Sequence, residues 1–396
     1  MFARMLAPLL LGVTPVAASQ RRARKPQDAS ALAAADGLPK ELALEAAASA
    51  GYLVPANCSV PSNYIWVVGT NHRTGSQMNN DLLRSIAMKG NAGKGKEYGE
   101  VVALRKLNNL RDDLIFKQGI YINTPQMASG VECVKSVKRG SVCLVPHLYL
   151  EDGEQFQHLR RVASKKNAKL RLVNWVRDPL HVGRSAYMYH IRGPEDELWL
   201  HQTPSDNVAA IMDACAGNGT TNDLDPPHLV CQIVHKHSSS VRDLSYFRFL
   251  KLLEESDTGR QPHGGFLTEM WRSLKGPIKQ MQQTTRSLAN ASSQVAVTVD
   301  LDQAITSCDT EFQRVFGTLE GAPLDGCVKS GCDISTAQCP TGGLNAGPNC
   351  GKHSNIHHTT QTKEDAEMAD SLEEFALGNF WFNKNVQPVR KDMGYV

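Results

Sequence analysis

The chain has 396 residues and is 41% hydrophobic, enough to bury a large core in one α/β domain or in one domain with appendages. A formal net charge of only +3 excludes a polyanion binder acting through bulk charge, so no nucleic-acid partner is expected. Ten cysteines, an even number, leave a disulfide framework open.

The N-terminus reads as a targeting segment over residues 1–18. Arg4 precedes an apolar stretch from Met5 to Ala18, broken by Gly12 and Pro15, and Val16-Ala17-Ala18 has the small residues of a signal-peptidase site. The stretch is short for a bilayer span, which needs about 20 apolar residues. Arg21-Arg22-Ala23-Arg24-Lys25 follows, with no acidic residue before Asp28, and that pattern also suits a plastid or mitochondrial transit peptide. Any membrane association is expected only through this segment. Residues 19–60 are Ala-rich and read as a linker containing a helix.

From Tyr64 to Val68 an apolar, aromatic and β-branched run predicts a buried strand. Gly69 and Gly75 follow, and Met78, Leu82, Leu83 and Ile86 then recur at helical spacing within 78–88. A strand, a glycine-bearing loop and a helix start make an anion cradle, because unpaired backbone N–H groups and the positive end of the helix dipole converge there. It is not a Walker A loop, which needs a Lys after its second Gly and then a magnesium-holding Ser or Thr. Here five residues separate the glycines, and the basic side chain, Arg73, comes before the second one.

Within Ser141 to Tyr149 the sequence predicts a second apolar strand, ending in Pro146-His147. Leu170 to Val176 predicts a third, broken by Arg177-Asp178-Pro179, with a helix resuming over 182–191. Arg177 and Ser185 lie eight positions apart, so a strand-end guanidinium and a hydroxyl one to two turns into the helix can grip one phosphate from two sides. Basic stretches at 84–111 and 160–171 fit solvated helix faces, or a path for an anion.

Residues 191–325 read as mostly helical, including 246–255 and 267–288, with a strand at 294–299. A Cys-rich loop over about 325–352 and a closing helix at 363–382 complete the chain. Cys308, Cys327, Cys332, Cys339 and Cys350 crowd this last third, where disulfides would imply an oxidising compartment. Sequons at Asn57, Asn218 and Asn290 fit a luminal route. Zinc is the rival for the cysteines, with His353, His357 and His358 nearby, but the spacings match no standard zinc pattern. Gly347 to Lys352 offers either a further phosphate contact or an ordinary surface turn.

Two of these motifs, about a hundred residues apart, resemble the phosphate-holding elements of sulfotransferases. Arg73-Thr74-Gly75-Ser76 is similar to the 5′-phosphosulfate loop, and Gln77 departs from the second hydroxyl residue that is commonest there. Arg177-Asp178-Pro179, five residues and then Ser185-Ala186-Tyr187 resembles the 3′-phosphate element of Golgi-type members. The segment from Ser371 to Phe375, with Asn379, loosely resembles their final helix. The resemblance implies a three-layer α/β sandwich with a central parallel sheet, related to P-loop nucleotide kinases, over residues 61–396. It implies transfer of a sulfuryl group from 3′-phosphoadenosine 5′-phosphosulfate to a hydroxyl or amine of a glycan or small metabolite, in the Golgi lumen. His147 would take the acceptor's proton, and Arg73 would neutralise charge on the leaving oxygens. Thr74, Gly75, Ser76 and Gln77 would hold the 5′-phosphate, and Arg177 with Ser185 the 3′-phosphate. No metal is expected, since the sulfuryl group carries less charge than a phosphoryl group. A nucleotide kinase would need a Walker Lys that the loop lacks. A secreted, disulfide-rich binding protein with this fold and no catalysis is the other reading.

Overall fold

The computed structural model describes residues 62–71, 73–74, 79, 121–123, 130–194, 197–217, 224–255, 263–320, 327–328, 332 and 363–396. The targeting segment, the linker, the helix at 78–88 apart from residue 79, the basic run at 84–111, Gly347 to Lys352 and the sequons at Asn57 and Asn218 lie outside them.

Among the described residues five strands build one parallel sheet: β1 (Tyr64–Thr70), β2 (Tyr121–Asn123), β3 (Ser141–Pro146), β4 (Lys169–Val176) and β5 (Ala296–Asp300), in the order β2-β3-β1-β4-β5. The described helices are α1 (Gly130–Ser136), α2 (Gly153–Ser164), α3 (Pro179–His190), α4 (Leu198–His201), α5 (Asp206–Cys215), α6 (His228–Lys236) and α7 (Ser238–Val241). They continue with α8 (Tyr246–Glu255), α9 (Gly264–Ser273), α10 (Lys279–Leu288), α11 (Leu301–Thr306), α12 (Cys308–Glu320), α13 (Lys363–Gly378), α14 (Phe380–Asn385) and α15 (Gln387–Asp392).

Parallel neighbours need crossover connections, and those connections cover both faces of the sheet. On one face Ile65, Val67, Cys143, Val145, Leu170 and Leu172 pack against Cys133 and Val134 of α1, Phe156 and Leu159 of α2, and Leu288 of α10. On the other, Trp66, Val68, Leu144, Val173 and Trp175 meet Ala304 of α11 and Phe312, Val315 and Phe316 of α12. This is the expected α/β sandwich, and it explains why β1 and β4 read as continuous apolar runs rather than alternating ones. A third cluster of α3, α6, α8, α9 and α13 gathers around Val176 and Leu180 at the carboxyl end of β4.

The strand expected to end in Pro146-His147 does stop at Pro146, which has no N–H to donate, and His147 turns away with φ of 61°; the other boundaries shift. The helix expected from 182 starts at Pro179. Proline fits the first helical position, and the Asp178 side chain accepts the Leu180 N–H, so the supposed breaker is the helix start. The helix at 267–288 runs from Gly264 and contains a five-residue π segment, Leu274–Ile278, around Pro277. The strand at 294–299 occupies Ala296–Asp300, and the closing helix breaks at Asn379, which caps α14 through the Phe382 N–H.

Disulfides join Cys133 to Cys143, Cys215 to Cys231 and Cys308 to Cys332, so two of the three described bridges lie outside the crowded C-terminal third. Cys327 is also disulfide-bonded, which takes it and Cys332 out of the zinc alternative. Asn290 is exposed in the turn after α10. Among the described residues no helix is long and apolar enough to cross a membrane.

Gly69 shows why the end of β1 needs glycine. A Cβ there would lie 2.1 Å from Leu148 Cδ2 and 2.8 Å from Leu148 Cβ, and Leu148 is buried directly after His147. Gly69→Ala is expected to cost about 1–3 kcal/mol through overpacking. Urea denaturation checks it, and a change below 0.5 kcal/mol, the usual scatter for sites away from special features, would contradict this packing.

Candidate functional site

The register brings the predicted motifs to one edge. Thr70 pairs with Pro146 and Gly69 with Asn174, so the chain leaves β1, β3 and β4 at nearly the same level. Neighbouring strands lie about 4.8 Å apart, which sets His147 and Arg177 on either side of the β1 loop. The strand after β1 in the chain lies on one side of it, and the strand after β4 lies on the other. The connections therefore diverge between β1 and β4, where open parallel sheets form a ligand crevice at their carboxyl edge.

The β1 loop closes on itself. Asn71 N–H donates to Thr74 Oγ1 at 2.6 Å, the Thr74 hydroxyl donates to Asn71 O at 3.0 Å, and Thr74 N–H donates to the same oxygen at 3.1 Å. Both Thr74 donors are thus engaged within the turn, and Thr74 shapes the loop. Gly75, Ser76 and Gln77 lie outside the described residues.

Arg73 takes φ of 63°, unusual for a residue with a Cβ. Its guanidinium carbon sits 3.8 Å over the Tyr189 ring of α3, a cation–π contact, and its buried Nε has no partner among the described residues. Burial lowers the Arg73 pKa to about 10, while Tyr189, Glu197 and Glu269 pull it back up. The side chain stays cationic at neutral pH. Ser185 precedes Tyr189 by one helical turn on the same face of α3, so the two motifs meet.

Arg177 is buried, and its Nε donates to Asp302 Oδ1 and Oδ2 at 2.9 and 3.1 Å, while Nη2 lies 2.9 Å from Oδ1. The other oxygen of Asp302 is 2.7 Å from His181 Nδ1. Burial favours the neutral form of Asp302, but Arg177 and His181 overcome this and hold its carboxyl well below the ordinary range. Further along α3, Arg184 Nη1 lies 2.7 Å from Glu373 of α13. Asp178 joins this edge to the C-terminus, accepting from Arg390 Nε and Nη2 at 2.8 and 2.7 Å.

His147 stands at the rim beyond β3. Its surface reaches solvent, yet the protein packed around the ring lowers its pKa below the ordinary 6.5. A ring that is neutral at physiological pH can accept a proton.

Sequence reasoning missed a buried network beside Arg73. Glu269 of α9 is fully buried, accepts from Tyr246 OH at 2.5 Å and from Arg272 Nε and Nη2 at 3.2 Å, and lies 3.1 Å from His190 Nδ1. Arg272 in turn covers Trp199 at 5.0 Å. Burial lowers the His190 pKa despite the neighbouring carboxylate. In the sequence, Glu269 and Arg272 form an ordinary i, i+3 pair on a helix, and nothing distinguishes them from a solvated one.

Comparison with models of protein families, with curated proteins and with solved structures gave no match.

Proposed function

We propose that the protein is a sulfotransferase that uses 3′-phosphoadenosine 5′-phosphosulfate as donor. The observation that carries this reading is the meeting of the two motifs: Arg73 of the β1 loop lies on Tyr189, one turn beyond Ser185 of the Arg177 motif. The diverging connections between β1 and β4 support it, because both phosphate elements flank that crevice. In the P-loop-like arrangement the resemblance implies, Arg73 and the loop amides hold the 5′-phosphosulfate, and Arg177 with Ser185 holds the 3′-phosphate.

The acceptor oxygen or nitrogen attacks sulfur in line, and the bond from sulfur to the bridging oxygen breaks. Adenosine 3′,5′-bisphosphate leaves, and the acceptor's proton passes to His147. Arg73 offsets charge that grows on the departing oxygen, and its desolvated setting strengthens that attraction. The described disulfides support an oxidising, luminal setting in the secretory pathway. They fit equally the reading of a disulfide-rich binding protein without catalysis.

Arg73 has no ion-pair partner among the described residues, so its removal tests the site without breaking a buried pair. Arg73→Ala is expected to weaken binding of adenosine 3′,5′-bisphosphate by about 10- to 100-fold, the loss of charged hydrogen bonds worth 1.5–3 kcal/mol. Arg73→Lys should recover part of it. Titration calorimetry reads both. Unchanged affinity in the Ala variant would favour the binding-protein reading.

A further inference from the structure

Four polar side chains, Arg177, Asp178, His181 and Arg184, crowd the start of α3, and they are held in different ways. Arg184 Nη1 is engaged by Glu373 at 2.7 Å and by the Ala369 carbonyl at 3.4 Å. Asp178 is engaged by Arg390 and by its own helix start. His181 lies between two carboxylates, with Nδ1 2.7 Å from Asp302 and Nε2 3.6 Å from Glu373. Arg177 is held in a different way: both oxygens of Asp302 engage it along its Nε and Nη2 edge, where Arg184 is bonded through a single nitrogen, and that grip leaves Nη1 with no bond to any described residue.

A guanidinium held along one edge presents the remaining N–H groups in a fixed plane, which is how a planar fork is made ready for a phosphate. The position of Asp302 follows from the sheet. Val176 pairs with Asp300 across β4 and β5, so Arg177, the first residue beyond β4, and Asp302, the second beyond β5, come together by register. His181, one turn into α3, braces the second carboxylate oxygen and fixes its rotation.

We propose that Asp302 is a positioning residue that aims Arg177 at the 3′-phosphate of the nucleotide and thereby makes the site selective for a 3′-phosphorylated ligand. The proposal rests on the donor-site reading above. Asp302 touches neither the nucleotide nor the acceptor, and acts through Arg177. It is ionised in the folded protein, because Arg177 and His181 hold its pKa down. Its negative charge lies behind the guanidinium, on the edge away from the phosphate.

The test compares adenosine 3′,5′-bisphosphate with adenosine 5′-phosphate, which lacks only the 3′-phosphate, by calorimetry on the full chain. Wild-type protein should bind the bisphosphate more tightly. Asp302→Asn should weaken the bisphosphate by about 10- to 100-fold, the usual effect of losing an orienting partner, and leave adenosine 5′-phosphate within about twofold. Asp302→Glu, which keeps the carboxylate, should restore part of the selectivity. Retained binding of adenosine 5′-phosphate by the Asn variant shows that the fold and the 5′ site survive. Equal losses for both ligands, no loss, or tighter bisphosphate binding in Asp302→Asn would overturn the proposal while leaving the donor site intact. Wild-type protein that binds neither nucleotide would overturn the donor-site reading, and the proposal with it.

Discussion

Replacing Asp178 with Ala lowers stability by about 3–5 kcal/mol, because it strands a buried guanidinium. Arg390 and Asp178 are each about 8% exposed and share two hydrogen bonds at 2.8 and 2.7 Å. The same carboxylate caps α3 by accepting the Leu180 N–H at 2.9 Å, a contact worth about 1 kcal/mol by itself. Removing one partner costs more than removing both, since an unpaired buried charge is worse than none. The double variant Asp178→Ala with Arg390→Met should therefore be more stable than Asp178→Ala alone. Chemical denaturation of the three proteins reads the difference. A single variant within about 0.5 kcal/mol of wild type would show that the pair is solvated.

Glu269→Ala is expected to lose a similar amount, about 3–5 kcal/mol at neutral pH, because Arg272, Tyr246 and His190 are all left facing the gap. The pH dependence has a definite sign. Burial alone would raise the Glu269 pKa, but Arg272 and His190 overcome it and hold the carboxyl well below its ordinary 4.5. A carboxylate whose pKa falls on folding stabilises the protein fully above its unfolded value, and that contribution is lost as pH drops through the folded value. Wild-type stability should thus decline below about pH 4.5. Glu269→Ala should show a shallower decline over the same range. Denaturation midpoints between pH 3 and pH 7 check it. Parallel curves for the two proteins would mean that Glu269 is not the group being titrated.

The two halves of the candidate site were legible to different depths. β1 and β4 could be read because a parallel sheet covered on both faces demands unbroken apolar runs, and Trp66, Val68, Leu172 and Trp175 supply them. β2, three residues long, gave no such run. Asp178-Pro179 was read as a break, although a capping acid followed by proline also opens a helix. Arg73 and Arg177 were singled out from local order alone. Their surroundings were not, because Tyr189 and Glu269 beside Arg73, and Asp302 beside Arg177, all lie more than a hundred positions along the chain from the arginine they meet, and come to it only through strand register and helix packing. The Thr74 hydroxyl bonds to the Asn71 backbone within the loop turn, a contact that the letters of the motif do not show.

A donor site built from both motifs can be tested by calorimetric titration of adenosine 3′,5′-bisphosphate into the wild-type protein and into Arg177→Ala, without added metal. Wild type should show saturable one-to-one binding, and the variant a loss of about 100-fold or more, for charged hydrogen bonds to a phosphate. Because Arg177→Ala also leaves Asp302 unpaired, the pair Arg177→Ala with Asp302→Asn serves as the folded control and should be equally deficient. No binding by folded wild-type protein, or undiminished binding by both variants, would contradict such a donor site.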